Sequence, residues 1–399
     1  MARGTKICPS LGVTCPESCR GYPIFRWLAD LHPAGMATSR SCVAAPMRWM
    51  TRSEIGGMAM VLFAASSCAA PQQSAMTMTE APSMTTAHVP CEPTPRDAPR
   101  EDGSSQLARE LETLRARVDG QVSFAIVNVE TGYETSVDGD VPVALYSTFK
   151  AWVGVAVADA VERGEMSWTD TLRVAPEDLV FAYQPIAEEV GDGRDFTLQE
   201  LVRWSVGLSD NPSVDALMAH LGGVEAVSAR LGRMALRDIA IRTTEAGLQA
   251  QAEAFRNEAT SMSEEAVRRR FRERLSATNE STALGVARAL SRLVKGELLG
   301  AAGTARILRE LRATQTGRRR LSAGLSEGWS IAHKTGTAHT IAGLGGVADI
   351  GILTAPDHRR YAVAGYTAVS SAPREVQEDV IADVARALVH SVGCRKLTP

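Results

Sequence analysis

A chain of 399 residues is long enough for one large domain or two, and 45% hydrophobic with 22% charged side chains is an ordinary globular balance. A net charge of -3 offers no positive surplus, so neither nucleic acid nor an anionic membrane surface is expected as a partner. The uneven feature is the N-terminus. Residues 1–46 carry Cys8, Cys15, Cys19 and Cys42, several prolines and no sustained hydrophobic period. Cys15 and Cys19 have no second pair at a zinc spacing, so no metal site is expected there.

At Met47 the pattern changes. Arg48 and Arg52 precede a short apolar run, Ile55 to Ala65, which ends in Ser66, Ser67 and Cys68. A positive start, an apolar stretch of about ten residues and small residues before a cut describe a secretory signal rather than a membrane span. The cysteine after the small residues resembles the lipobox of bacterial lipoproteins, although Ala65 stands where leucine is usual. The expectation is that 1–46 is upstream sequence, 47–68 is a lipoprotein-type signal, and Cys68 becomes a lipidated first residue holding the protein to the outer membrane on the periplasmic side. Release as a soluble protein is the alternative. Residues 69–103, rich in Pro, Ser, Thr, Met and Gln, read as a tether. Cys91 and Cys394 could pair in an oxidising compartment or remain two thiols.

The folded part spans 104–399. Leu107, Leu111, Leu114 and Val118 predict a helix over 105–118. Strands follow at 122–129 and 133–137, the middle from Ser147 to Leu299 is mostly helical, strands return at 329–334, 345–354 and 360–369, and an amphipathic helix runs over 374–392. Strands at both ends with helices between predict an α/β (α+β) fold: an antiparallel sheet flanked by the terminal helices, with an inserted all-helical lobe and a cleft between the two.

Three short stretches stand out. Ser147-Thr148-Phe149-Lys150 opens an apolar helix and sets a hydroxyl and an ammonium on one face. The chain has only five lysines, at 6, 150, 295, 334 and 396, among 43 basic residues. A lysine kept inside an apolar run points to a titratable amine, whose pKa falls with desolvation and which can serve a neighbouring hydroxyl as base. A capping serine with an outward-snorkelling lysine is the plainer alternative. Ser209-Asp210-Asn211-Pro212 breaks two helices, as a cleft-facing turn or as a simple cap. Lys334-Thr335-Gly336-Thr337 follows the strand at 329–333. There a glycine permits close backbone approach and an inward lysine needs an anion or hydroxyl, unless the strand merely ends in a turn.

Taken in order, these stretches resemble the penicillin-recognising serine enzymes, most closely class A β-lactamases, over nearly the whole of 104–395. The resemblance implies a β-lactam substrate, no cofactor, no metal and a monomer. It makes Ser147 the nucleophile, Lys150 its base or the charge that tunes the base, Ser209 the relay to the leaving nitrogen and Lys334 a source of positive field. Backbone N–H groups of Ser147 and Thr337 would form the oxyanion hole. Asn211 would hold the acyl amide, Thr335, Gly336, Thr337 and Arg320 the carboxylate side, and Tyr183 the cleft rim. Glu245 would activate the deacylating water, helped by Gln249 in place of the usual asparagine. His333 before the lysine resembles the branch that includes extended-spectrum enzymes, which implies a wider cleft. Histidines 333 and 339 have no evident third metal ligand. The stretch 250–277 is longer than a compact loop and carries a capping-box pattern at Ser261 to Glu264 and a basic helix at 265–275, either solvated or facing an acidic partner. A D-alanyl-D-alanine peptidase and a β-lactam sensor that stays acylated are the competing functions; Glu245 argues against the first, and in the second it would be misplaced by the long insertion.

Overall fold

A computed structural model describes residues 103–393. The signal segment, the tether, Cys68, Cys91 and Cys394 lie outside the described residues. Helix α1 (Gly103–Arg115) leads into strands β1 (Gln121–Asn128) and β2 (Glu134–Val137). After the middle of the chain come β7 (Ser330–Thr337), β8 (Val347–Thr354), β9 (Arg360–Ala368) and helix α11 (Arg374–Gly393). The five strands form one antiparallel sheet in the order β2-β1-β9-β8-β7.

The alternation of β1 explains why this sheet is covered on both faces. Phe124 and Ile126 pack with Leu107 and Leu111 of α1 and with Val380, Ile381 and Val384 of α11. Ala125 and Val127 point the other way, into a larger apolar cluster shared with α2 (Phe149–Glu162) and α9 (Ala283–Val294). Every position from Phe149 to Ala160 is buried, so α2 is the central post of the helical lobe, as its unbroken apolar run requires.

Around α2 stand α4 (Leu198–Val202), α5 (Asn211–His220), α6 (Val224–Arg233) and α10 (Ala301–Arg312). The lobe is not all-helical as expected. It carries a two-stranded ribbon of β4 (Thr171–Val174) with β5 (Arg194–Thr197), and β3 (Pro142–Ala144) pairs β6 (Glu280–Thr282) at its junction with the sheet. Both pairs are only three or four residues long, too short for an alternation in the sequence to register. Two further helices, α7 (Glu245–Ala259) and α8 (Glu264–Arg274), form a hairpin. Its apolar side, Phe255, Ala259 and Val267, packs on Ile341, Leu344, Ala368 and Val369. Three of the arginines of α8 are paired within the protein: Arg268 meets Glu264, Asp119 and the Val369 carbonyl, and Arg270 and Arg274 both meet Glu258, while Arg269 and Arg272 are exposed. These pairings account for three of the five basic side chains of the helix.

Candidate active site

A tight turn lies just before α2. Tyr146 takes a positive φ of 46°, and Tyr146–Thr148 form a single tight helical turn before the α-helix proper begins. Ser147 therefore sits at the mouth of a buried helix, with Lys150 one turn further on and wholly inside the protein. Lys150 Nζ donates to the Ser209 carbonyl at 2.8 Å and to Asn211 Oδ1 at 2.5 Å, and pairs with Glu245 Oε1 at 2.8 Å. All three ammonium protons thus have an acceptor, which is the condition for holding a buried charge.

Ser209 comes from the interruption foreseen between two helices. A π-helical turn over Arg203–Gly207 follows α4, and Asp210 then caps α5, accepting from the Ser213 N–H and hydroxyl and from the Ile186 N–H. Ser209 is left with a φ of 62°, a left-handed conformation that costs a non-glycine residue about 1–2 kcal/mol. Both its oxygens hold a lysine: the carbonyl takes Lys150, and Oγ accepts from Lys334 Nζ at 2.7 Å. Burial, with Lys150 nearby, pushes the Lys334 ammonium well below the ordinary lysine value. Burial likewise raises the Asp210 carboxyl, against the hydrogen bonds that it accepts.

Lys334 to Thr337 do not follow a strand but continue it, as the last four residues of β7. β7 is the edge of the sheet, and Ala338 N–H donates inward to the Gly346 carbonyl. Alternation then turns the Thr335 and Thr337 N–H groups outward to the free edge. That edge lies against the serine turn, because a Cβ built on Gly336 would meet Tyr146 Cβ at 2.8 Å and the Ser147 nitrogen at 3.2 Å. Only glycine lets the strand come so close.

Arg320 is the buried member of its arginine triplet. Its guanidinium donates to the carbonyls of Gly336 and Ala348, to Thr337 Oγ1 at 2.8 Å and to Glu378 Oε1 at 3.0 Å. Burial lowers its pKa, opposed by Asp349 and Glu378. Thr335 Oγ1 shares a 2.5 Å hydrogen bond with Thr316 Oγ1.

Glu245 is the first residue of α7, and its carboxylate Oε1 accepts from Ser147 Oγ at 3.3 Å while pairing with Lys150. Two groups that the sequence did not single out fix it there. Asp215 of α5 accepts the N–H groups of Glu245 and Ala246 at 2.7 and 2.9 Å. Burial raises its carboxyl pKa in spite of those bonds. Asn279 closes the base of the excursion: its Oδ1 accepts from Arg242 N and Thr243 N, its Nδ2 donates to the Thr243 carbonyl, and its own carbonyl takes Leu145 N. Asp215 falls four residues after Asn211, one helical turn, and that spacing was the one available signal.

Gln249 does not reach the serine. Its amide donates to the Val180 carbonyl and accepts from Ala182 N. One more helical turn beyond Glu245 carries it to the rim, where it braces the segment bearing Tyr183, which is 49% exposed. His333 turns its ring onto Asp349, at 2.9 and 3.0 Å, beneath the strand and away from the cleft. His339 lines the cleft instead, its pKa lowered by burial and by Arg256. Among the described residues no cluster of His, Cys, Asp or Glu is arranged to hold a metal ion.

Ser147, Ser209, Asn211, Glu245, Thr335, Gly336, Thr337, Arg320 and Tyr183 all border one cavity of about 490 Å³ between sheet and helical lobe. A serine at a helix mouth, flanked by a carboxylate and two buried lysines, defines a site for acyl transfer through an activated hydroxyl. The chain belongs to the beta-lactamase enzyme family, whose family profile matches residues 106–392, and its relatives place it with class A. It is 24% identical over 286 residues to beta-lactamase VEB-1 of Pseudomonas aeruginosa, covering 71% of this chain and 89% of that one. A beta-lactamase from Chitinophaga pinensis superposes with a TM-score of 0.63 at 25% identity, over 72% of this chain and 99% of that one. An ancestral class A beta-lactamase (GNCA) does so with 0.61 at 29% identity, over 72% and 100%.

Proposed function

We propose that this protein hydrolyses β-lactams, and so confers resistance to them, by way of an acyl-enzyme on Ser147. The observation that carries this reading is the position of Glu245, whose carboxylate lies within reach of both Ser147 Oγ and Lys150 Nζ. A group so placed, once the acyl group is on Ser147, activates a water against the ester. Lys150 stabilises that carboxylate and the Asn211 carbonyl oxygen together. The N–H groups of Ser147 and Thr337 receive the oxyanion as the carbonyl becomes tetrahedral.

Ser209, hydrogen-bonded to Lys334, passes a proton to the departing lactam nitrogen. Lys334, with its lowered pKa, is a proton source that returns readily to the neutral form. The substrate carboxylate meets Thr335, Thr337 and, behind them, the Arg320 guanidinium, whose charge reaches the cleft through Thr337 Oγ1. Asn211 Nδ2 faces the acyl amide, because Oδ1 is taken by Lys150.

An intact-mass time course with benzylpenicillin tests these roles. Wild type is expected to add water to the drug while staying unmodified. Glu245→Gln is expected to accumulate an adduct and lose about 10²–10⁴-fold in turnover, and Ser147→Ala to form none. A stable adduct on wild type, with one equivalent of drug consumed, would overturn the hydrolase in favour of a sensor or a peptidase. Export to the periplasm, with a lipid at Cys68 and a monomeric catalytic domain, completes the proposal. Export and the lipid are supported by the signal pattern at 47–68 and are tested by N-terminal mass analysis of the exported protein; the monomer is tested by its mass in solution.

A further inference from the structure

Ser147 stands between two residues whose side chains have no part in the reaction described above. Tyr146, before it, is held at a positive φ of 46°, a conformation that a bulky residue keeps only where its surroundings over-determine it. Its phenol supplies one such hold. The ring passes the start of β8 at Gly346, where a Cβ would meet the hydroxyl at 2.5 Å, and that hydroxyl donates to the Thr367 carbonyl of β9 at 3.3 Å. Thr148, after the serine, is fully buried and donates its one hydroxyl proton to the Leu145 carbonyl at 2.5 Å. Tyr366, the neighbour of Thr367 on β9, is therefore the donor in the 3.2 Å bond between its hydroxyl and Thr148 Oγ1. Thr367 is itself fastened, its Oγ1 accepting from Val347 N and donating to Gln377 Oε1 of α11. Burial pushes both phenols above the ordinary tyrosine value, so each keeps its proton to donate through the neutral range.

A peptide unit is planar, so the N–H of Ser147 points where the Tyr146–Ser147 peptide points. That direction is set by ψ of Tyr146 and φ of Ser147, and so by how the chain is fastened on the two sides of the serine. The close approach of Gly336 to Tyr146 Cβ sets the distance between the turn and β7. It does not by itself fix the rotation of the peptide. We infer that Tyr146 and Tyr366 are positioning residues of the oxyanion hole: their phenols clamp the chain before and after Ser147 to adjacent residues of β9, and so aim the Ser147 N–H at the carbonyl oxygen that becomes negative. This role rests on the Ser147 acyl-enzyme reading and adds to it two side chains that act through the nucleophile's own peptide. An oxyanion donor helps to the extent that it is aimed before the charge develops. The phenols therefore count in the transition state and not in the binding of intact drug.

The test removes one hydroxyl at a time, with Tyr146→Phe, Tyr366→Phe and the double variant in the full chain, so that the ring packing stays. Three quantities are read for each. They are kcat/KM for benzylpenicillin, the inhibition constant of phenylacetamidomethylboronic acid, which adds to Ser147 Oγ as a tetrahedral anion, and the dissociation constant of intact benzylpenicillin on a Ser147→Ala background. Each single variant is expected to lose about tenfold in kcat/KM, a part of the 10²–10³-fold that outright loss of an oxyanion donor costs, and the double variant more than either. Boronate affinity is expected to fall by the same factor, while the dissociation constant of intact drug stays within about twofold. Variants that melt earlier yet keep wild-type kcat/KM and boronate affinity would reduce the phenols to structural struts and overturn the positioning role. An equal loss in the binding of intact drug would overturn it too, and either result leaves the hydrolase intact. The two single variants carry the test if the double variant does not fold. If wild type neither hydrolyses benzylpenicillin nor gains an adduct on Ser147 by mass, the hydrolase reading fails and the positioning role falls with it.

Discussion

A methyl group at position 336 would press on Tyr146 Cβ and crowd the Ser147 nitrogen, and this gives the most direct handle on the chemistry. Gly336→Ala leaves every charged group in place but pushes the strand edge away from the serine turn. The donors at Ser147 and Thr337 then no longer converge on one oxygen. Loss of an oxyanion donor is worth about 10²–10³-fold in kcat, and Gly336→Ala is expected to lose that much in the rate of acylation, read by stopped-flow mixing. A variant that acylates at the wild-type rate would remove Thr337 from the oxyanion hole. The same scale shows where reading residues one at a time reaches its end. Lys150 and Lys334 stood out as rare lysines in apolar runs, whereas Ser147 and Ser209 were picked out by the order of the three motifs together. Arg320 was harder: in a triplet of arginines the buried one is distinguished only by partners such as Glu378, distant in sequence. Gln249 lies one helical turn beyond Glu245 on the same face of α7, and its bonds to Val180 and Ala182, far off in sequence, could not be read from that spacing.

Elements were legible wherever a long period ran unbroken. β1, α2, β8, β9 and α11 fall within a few residues of expectation, because a strand or helix buried along its length writes its period into the chain. What the sequence concealed was the end of β7, where threonine and glycine look like a turn but continue a strand whose pairing with β8 is set from Ser330 to Thr337. Equally concealed was the fastening of the excursion that carries Glu245. Asn279 is buried, and its side chain answers two N–H groups and one carbonyl on the opposite limb. Asn279→Ala leaves those groups unpaired and is expected to cost about 1–3 kcal/mol, seen as a lower thermal midpoint. Deacylation should slow more than acylation, since Glu245 is displaced while the serine turn keeps its contact with β7. Equal slowing of both steps in rapid-mixing experiments would show that Asn279 serves the nucleophile and the base alike.

On the scale of the whole molecule, one carboxylate binds distant parts of the chain together. Asp119, just after α1, accepts from Ser370 Oγ, from the N–H groups of Ser371 and Ala372 ahead of α11, and from Arg268 of the hairpin. Burial pushes its pKa up, but the bonds from Ser370, Ser371 and Arg268 prevail and hold it well below the ordinary 3.8. A carboxyl depressed in the folded state stabilises the fold above its unfolded pKa, and that stability is lost as pH falls through the depressed value. Asp119→Asn is therefore expected to melt below wild type at neutral pH. The gap should narrow as both are titrated below about pH 4. A gap that stays constant down to pH 3 would mean that the side chain acts through its shape alone. The closed base of the α7–α8 excursion has a consequence of another kind. Because both limbs are joined at Arg242, Thr243 and Asn279 and the first turn of α7 is held by Asp215, chain can be added or removed beyond that turn with little strain on Ser147 or Glu245. Doubling the length of such a loop costs only about 0.6 kcal/mol in closure entropy. The part of this stretch beyond the first turn of α7 is therefore where a lineage can lengthen or shorten the chain while the hydrolytic groups keep their places, and where a shorter loop can be transplanted in a single step.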